Sequence, residues 1–502
     1  MIYTDPKRII LFDTTLRDGE QALPQSLSAR EKMQIALALE QLGVDVIETG
    51  FPVSSRGDFE SVRSIASVLK RAVPCGLSRA VAGDIDACAE ALKAAERFRI
   101  HTFIATSDIH VRDKLRKDFD RILEMGVEAV RRARNYTDDV EFSCEDAGRT
   151  PIDHLCRMVE AAIDAGATTV NIPDTVGYTV PEEFGGIITT LFNRVPNIDR
   201  AIISVHCHND LGMATANSIT AIQHGARQIE CCMNGLGERA GNCSLEEVAM
   251  AIKLREKSLG GLYTGINPKQ IARTSGLVSK ICSEPVPAHK AIVGSNAFAH
   301  SSGIHQDGVL KNVQTYEIID PHDVGIDDNS IVLTARSGRA ALKNRLQVLG
   351  VSLDQQKLDK IYEDFLKLAD KKKDINDDDI LVLAGADRSQ NHRIKLEYLQ
   401  VTSGVGVRSV ASIGLNISGE KFEAAASGNG PVDAAIKALK KIIDRHMTLK
   451  EFTIQAISKG SDDMGKVHMQ VEYDNRIYYG FGANTDIIAA SVEAYIDCIN
   501  KF

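Results

Sequence analysis

The sequence has no tryptophan, no C-x-x-C pair and no apolar run approaching the roughly 18–20 residues that a membrane-spanning helix needs. Met1–Arg8 is polar and leads straight into a strand-like stretch, so neither a secretory leader nor a membrane contact is expected. Nor is there a stripe of Lys and Arg interleaved with aromatics. Aromatics are only 5% of residues and the net charge is −9, which argues against a nucleic-acid surface. No P-loop occurs, and the glycines of Gly235–Gly241 lack the G-x-G-x-x-G spacing of a dinucleotide cradle. The ten cysteines are scattered except for the adjacent Cys231 and Cys232, which points to reduced thiols and a cytoplasmic location.

What is present is a chain of 502 residues, long enough for several cores, with 44% hydrophobic and 25% charged residues. Its first half alternates short β-rich runs with helix-patterned segments. The strands read as Arg8–Leu16, Val44–Gly50, Ala72–Ser78, Ile100–Ala105, Val140–Cys144, Thr168–Ile172, Ile202–His208 and Gln228–Met233. Ser28 with Glu31 forms a capping box before one of the intervening helices. Eight βα units in ~250 residues fit a closed (β/α)₈ barrel, and the count decides against a doubly wound open sheet. The expected α/β organisation is a catalytic barrel over 8–275, a helical linker over 276–392, and a C-terminal α+β domain over 393–502.

Active sites on such barrels form where strands end, and the polar residues gather there. Asp13–Glu20 ends the first unit, Glu48 the second, Arg79 the third and Thr106 the fourth. Glu141, Glu145 and Asp146 mark the fifth, Asp174 and Thr175 the sixth, His206–Asp210 the seventh, and Gly237–Asn242 the eighth. His206-x-His208 puts two imidazoles on one face of a strand and turns Cys207 the other way. Asp18 and Asn242 join them from neighbouring units of a closed barrel. Asp, two His and an Asn amide oxygen make a mixed N/O set that suits Mn²⁺ or Mg²⁺, with Zn²⁺ also compatible; Mn²⁺ is the leading expectation.

Several longer motifs sharpen this. Phe12–Gln21 (FDTTLRDGEQ), Asn171–Gly177 (NIPDTVG), His206-x-His208-x-Asp210, Gly235–Asn242 (GLGERAGN), Gly303–Gly308 (GIHQDG) and Gly428–Ala434 (GNGPVDA) together resemble the isopropylmalate, homocitrate and citramalate synthase family. The resemblance runs from about Ile9 to the C-terminus and is most continuous with the isopropylmalate branch. It implies an acyltransferase that condenses acetyl-CoA with 2-oxoisovalerate and water, releasing CoA, with leucine as feedback inhibitor. Citramalate and homocitrate synthases, which run the same chemistry on other 2-oxo acids, are the alternatives, with an inactive amino-acid sensor behind them. For homocitrate, Arg79 is the spare cation available to a distal carboxylate.

The resemblance also implies roles. Asp18, His206, His208 and Asn242 hold the metal, with His206 beside the substrate. Arg17 steadies charge on the keto oxygen, Thr175 binds the substrate carboxylate, and Glu145 is the candidate base. His305 and Tyr316 belong to a region that crosses to the partner subunit's active site, so a homodimer (or tetramer) is expected.

Beyond the barrel, helical pattern returns in Ser337–Leu349 and Leu358–Ala369, with Arg336, Arg339, Lys343 and Arg345 read as a solvated face, and Lys371–Asp379 reads as a linker. The C-terminal part carries an internal repeat. Ser412–Ile417 with Lys421–Ala426, and Val467–Tyr473 with Arg476–Gly482, pattern as hairpins, each followed by a helix. Asp433 and Asp486 are read as occupying comparable helix starts. The family resemblance places a leucine site near Gly428, Gly430 and Asp433.

Overall fold

The computed structural model describes residues 5–299, 305, 308–309, 311–326, 337–348, 351, 353–369, 380, 383–384, 394–443, 447–456, 465–473 and 476–501. Arg336, the run 371–379, and Gly303, Ile304, Gln306 and Asp307 of the glycine-rich motif lie outside them. The chain forms two compact units, Met1–Val332 and Leu333–Phe502.

In the first unit eight parallel strands close in the order β1 to β8: Ile10–Asp13, Val46–Glu48, Val73–Arg79, Arg99–Ala105, Val140–Glu145, Thr169–Asp174, Ile202–Cys207 and Gln228–Cys231. Between and after them run α1 (Ala29–Leu42), α2 (Arg56–Val68), α3 (Ala82–Leu92), α4 (Phe119–Ala133), α5 (Ile152–Ala165), α6 (Pro181–Arg194), α7 (Ala214–Gln223) and α8 (Leu245–Leu254), then α9 (Ile271–Cys282). Alternation sorts each strand's residues. Ile9, Leu11, Ile47, Ile100, Phe142, Val170, Val205, Cys207 and Ile229 face outward into one large core beneath the helices. Cys207 is therefore packing, as its position predicts. The Ser28–Glu31 capping box is present, with the Ser28 N–H donating to Glu31 Oε2 at 2.7 Å and the Glu31 N–H to Ser28 Oγ at 3.3 Å; such caps are worth about 1 kcal/mol.

The barrel interior is unequal. Ile10, Phe12, Val46, Val73 and Cys75 fill it apolarly on the side of β1–β3. Most inward positions of β4–β8 are polar instead, and Arg99 lies fully buried among them. It donates to Asp139 (2.8 Å), Glu141 (2.8 Å) and Gln228 (2.7 Å). Glu141, expected at the mouth, thus lies low in the barrel, four residues before Glu145 on the same strand. There Arg99 and Gln228 occupy both its oxygens, and burial pushes its carboxyl up to about 7.

Most strand boundaries shift by up to three residues, the largest shift falling at the end of β1. β1 stops at Asp13, not Leu16. The Asp13 carboxylate accepts from the Thr15 N–H and the Thr15 hydroxyl (2.9 Å each), and the chain coils into a wide π-type turn over Thr15–Gly19.

The second unit includes α10 (Arg339–Val348) and α11 (Gln355–Ala369), where Arg339 pairs with Asp359 at 2.9 Å and lies over the Tyr362 ring. Next come two successive βββα units. β9 (Ile394–Gly404), β10 (Val407–Ile417) and β11 (Glu420–Gly428) precede α12 (Pro431–Ile442). β12 (Thr448–Ala456), β13 (Gly465–Tyr473) and β14 (Arg476–Asn484) precede α13 (Ile487–Ile499). Both predicted hairpins are there, but each has gained a third antiparallel strand. β9 and β12 escape a period-two reading because each carries a register shift, near Leu396–Tyr398 and Leu449–Glu451, that moves its apolar residues out of phase. The helices pack closely on the strands. A Cβ built on Gly480 or Gly482 would overlap the carbonyl oxygen of Ala494 or Ala490 in α13.

Candidate metal and substrate site

The Thr15–Gly19 turn places two consecutive charged side chains over the barrel mouth. Arg17 Nε donates to Glu48 Oε2 at 2.5 Å and Arg17 Nη1 to Asp18 Oδ2 at 2.7 Å. On β7, His206 Nε2 lies 3.1 Å from Nε2 of His208, which is 4.0 Å from Asp18 Oδ2. Asn242, bridged to His208 through the backbone, donates from Nδ2 to Asp18 Oδ1 at 2.8 Å and to the Leu236 carbonyl at 3.0 Å. Gly237 lets that amide approach, since a Cβ there would overlap it. The four residues named from sequence as ligands therefore share one buried cluster, and one potential ligand atom each from Asp18, His206 and His208 lies within 4.8 Å of the others.

Electrostatics and orphaned atoms suit this cluster to a divalent cation. Burial opposes ionisation of Asp18, yet Arg17, His206 and His208 hold its carboxyl well below the usual carboxylate range. Burial, reinforced by His206, lowers His208 to about 3 and leaves it neutral as a ligand must be. Burial also works against charge on His206, but Glu230 raises it above the ordinary value. Asn242 Oδ1 is buried without a hydrogen-bond partner, which is costly unless something else engages it.

The cluster opens onto a cavity of about 250 Å³. Phe51, Leu77, Phe103 and Pro173 give it apolar walls, while Arg17, His101, Ser143, Asn171 and Glu230 add polar groups. His101 sits between Glu48 Oε1 (2.7 Å) and Ser143 Oγ (2.6 Å), and Asn171 Nδ2 donates to the same Ser143 oxygen at 2.9 Å. Thr175 and Glu145 also line the cavity. The Thr175 hydroxyl accepts from the Asp146 N–H at 2.9 Å, leaving its own proton to donate. Glu145 pairs with Lys114 at 2.6 Å. Arg239 pairs with Asp210 and donates to the Thr175 carbonyl at 2.9 Å, steadying that loop. Arg79 is committed to Asp84 through contacts of 2.6 and 3.1 Å, and it is not among the cavity's lining residues.

Sequence reading gave no role to His101, Ser143 or Glu230. The signal was a polar residue at every second position of a strand: Arg99-x-His101, Glu141-x-Ser143-x-Glu145 and Gln228-x-Glu230.

Comparison with known proteins bears on the family and its domains. Residues 8–278 match the family model HMGL-like, 292–373 the homocitrate synthase post-HMGL domain-like model, and 374–502 the LeuA allosteric (dimerisation) domain. A 2-isopropylmalate synthase from Parabacteroides distasonis is 63% identical over 496 residues, 99% of each chain. The chain belongs to the 2-isopropylmalate synthase family. Two further 2-isopropylmalate synthases are close to it. That of Yersinia enterocolitica is 58% identical over 99% of this chain and 95% of its own. That of Vibrio parahaemolyticus is 59% identical over 98% and 96%.

Two more groups of predicted residues in this 2-isopropylmalate synthase family member each have their own local surroundings. His305 and Tyr316 stack on each other, ring centroids 4.2 Å apart, and neither lines the cavity. Gly428, Gly430 and Asp433 meet at the start of α12. Gly430 is its N-cap residue, and Asp433 Oδ2 accepts from the Asn429 N–H (2.8 Å) and Lys437 (2.7 Å). Lys437 first, and the Asn429 N–H after it, hold the Asp433 carboxyl below its ordinary value. Asp486 differs. It is itself the N-cap of α13 and accepts from the N–H groups of Ile488 and Ala489, so the two aspartates are one turn out of step.

Among the described residues no helix is long and apolar enough to cross a membrane.

Proposed function

We propose that the protein condenses acetyl-CoA with 2-oxoisovalerate and water to give 2-isopropylmalate and CoA, under feedback control by leucine. The observation that carries this is the Asp18–His206–His208 cluster beside Arg17, at the rim of a cavity whose apolar walls suit a short branched side chain. Asp18, His206, His208 and the Asn242 amide oxygen hold the metal, Mn²⁺ foremost, with Mg²⁺ or Zn²⁺ able to use the same donors. When bound, the cation supplies Lewis-acid polarisation of the acceptor's keto group and orients the acceptor.

The chain's own groups do the rest. Arg17, clamped by Glu48 and Asp18, is pre-organised to stabilise negative charge developing on the keto oxygen. The Thr175 hydroxyl donates to the acceptor carboxylate. Glu145 takes a proton from the acetyl methyl group, and the resulting enolate carbon attacks the keto carbon. Hydrolysis of the CoA thioester then makes the step effectively irreversible. His305 and Tyr316 complete the site of a second copy in a homodimer, and Gly428, Gly430 and Asp433 lie at the leucine site. In this division of labour 8–275 catalyses, 276–392 links and 393–502 regulates.

The test is steady-state release of CoA from acetyl-CoA with Mn²⁺ and a panel of 2-oxo acids. Fastest release with 2-oxoisovalerate, suppressed by leucine, is expected. Faster release with pyruvate or 2-oxoglutarate would move the reading to citramalate or homocitrate synthesis. The commitment of Arg79 to Asp84 speaks against 2-oxoglutarate.

A further inference from the structure

We propose that Glu230 is a positioning residue for the metal centre, fixing the His206 tautomer and supplying the negative charge that lets a dication sit next to Arg17. The inference rests on the metal-centred reading above.

Glu230 and His206 are register partners on the neighbouring strands β8 and β7, and both side chains are buried. Glu230 Oε2 lies 2.7 Å from His206 Nδ1. An ionised carboxylate can only accept, so the ring proton belongs on Nδ1, and the Nε2 lone pair is turned toward His208 and Asp18. Without that acceptor either nitrogen could carry the proton, and a tautomer protonated at Nε2 cannot ligate.

Charge gives a second, independent reason. A cation at this cluster sits beside a guanidinium, and the nearest carboxylates are largely engaged. Asp18 shares its charge with Arg17 at 2.7 Å, while Glu48 is taken twice, by Arg17 at 2.5 Å and His101 at 2.7 Å. Glu230 is different. Its one recorded ion-pair partner among the described residues is His206, and its Oε1 is buried without a hydrogen-bond partner in a residue that lines the cavity. A buried carboxylate oxygen left unpaired is expensive. That cost is offset when a positive ion occupies the adjacent ligands, because at low effective dielectric the attraction between them is strong.

Metal-stripped full-length protein, with Glu230→Gln and Glu230→Ala variants, provides the test. Mn²⁺ is titrated in while free ion is followed by electron paramagnetic resonance, and metal-free thermal melts run in parallel. Glu230→Ala is expected to bind Mn²⁺ about 10- to 100-fold more weakly than wild type, the range typical when such supporting partners are lost. Glu230→Gln should fall between, because its amide oxygen still accepts from Nδ1–H while the charge is gone. Equal Mn²⁺ affinity in wild type and both variants would overturn the inference, as would lower melting temperatures with no change in affinity. Failure of the wild type itself to bind Mn²⁺ would instead overturn the metal-centred reading.

Discussion

Arg17 Nη1 lies 2.7 Å from Asp18 Oδ2, so adjacent residues of one turn carry the cation proposed to stabilise developing charge and the carboxylate proposed as a metal ligand. The guanidinium reaches both Asp18 and Glu48 because its nitrogens form a planar fork, and an ammonium group cannot hold that geometry. Arg17→Lys should lower kcat/KM for CoA release by about 10²–10³-fold, the usual cost of losing a pre-organised donor. Mn²⁺ affinity should not weaken, since Asp18 then loses a competitor. The two measurements together separate a charge-stabilising Arg17 from one that merely builds the metal site.

Removing a ligand should have the opposite signature. Asp18→Ala or His206→Ala is expected to abolish Mn²⁺ binding and reduce turnover beyond the reach of a steady-state assay, while far-ultraviolet circular dichroism stays that of the folded barrel. Both side chains sit at the strand ends, away from the apolar core under the helices. Turnover near wild type in either variant would remove Asp18 and His206 from the site.

Asp13 predicts a pH effect on stability. Burial, opposed by the hydrogen bonds from Thr15, raises its carboxyl to about 7 in the folded chain, against roughly 4 when unfolded. A carboxyl with a raised folded pKa contributes stability that is fully present below the unfolded value and lost as pH rises through the folded one. Thermal stability of the barrel should therefore decline between pH 4 and 8 through this group. Asp13→Asn cannot ionise, so its deficit relative to wild type should shrink across that interval. A deficit that is constant with pH would show that Asp13 does not titrate there.

The contact of α13 with β14 is testable by adding a single carbon. Gly480→Ala or Gly482→Ala forces a methyl into a backbone carbonyl of the helix, and overpacking of this kind costs typically about 1–3 kcal/mol. Chemical denaturation of the full-length variants should show that loss. An alanine in place of Gly419, where a Cβ meets nothing within 4 Å but φ is +98°, reports backbone strain alone and serves as the comparison.

The eight-stranded barrel was readable because its outward-facing residues are mostly apolar and its strands end in polar clusters. The clustering of candidate site residues was readable where motif and strand geometry coincided, as in His206-x-His208. Reading failed where a local hydrogen bond or a register shift overrode the pattern. Asp13 ends β1 early by accepting from Thr15, and shifted registers hide β9 and β12. Glu141 was misplaced because inward-facing residues at the two ends of a strand look alike in sequence, although four residues of strand separate the barrel floor from its mouth. Glu230 and His101 went unassigned because their meaning depends on partners 24 and 53 residues away.

The half-polar barrel interior bears on how such a protein can change. An oily core tolerates piecemeal substitution, because one hydrocarbon replaces another and neighbours shift to fit. Arg99, Glu141 and Gln228 allow no such drift, since altering one strands the others' charges or amides in a dry space. These residues lie beneath the cavity, so the floor of the barrel is the part least free to vary. Variation in substrate preference is accordingly expected to arise in the apolar wall formed by Phe51, Leu77 and Phe103, where shape can alter without breaking an ionic lattice.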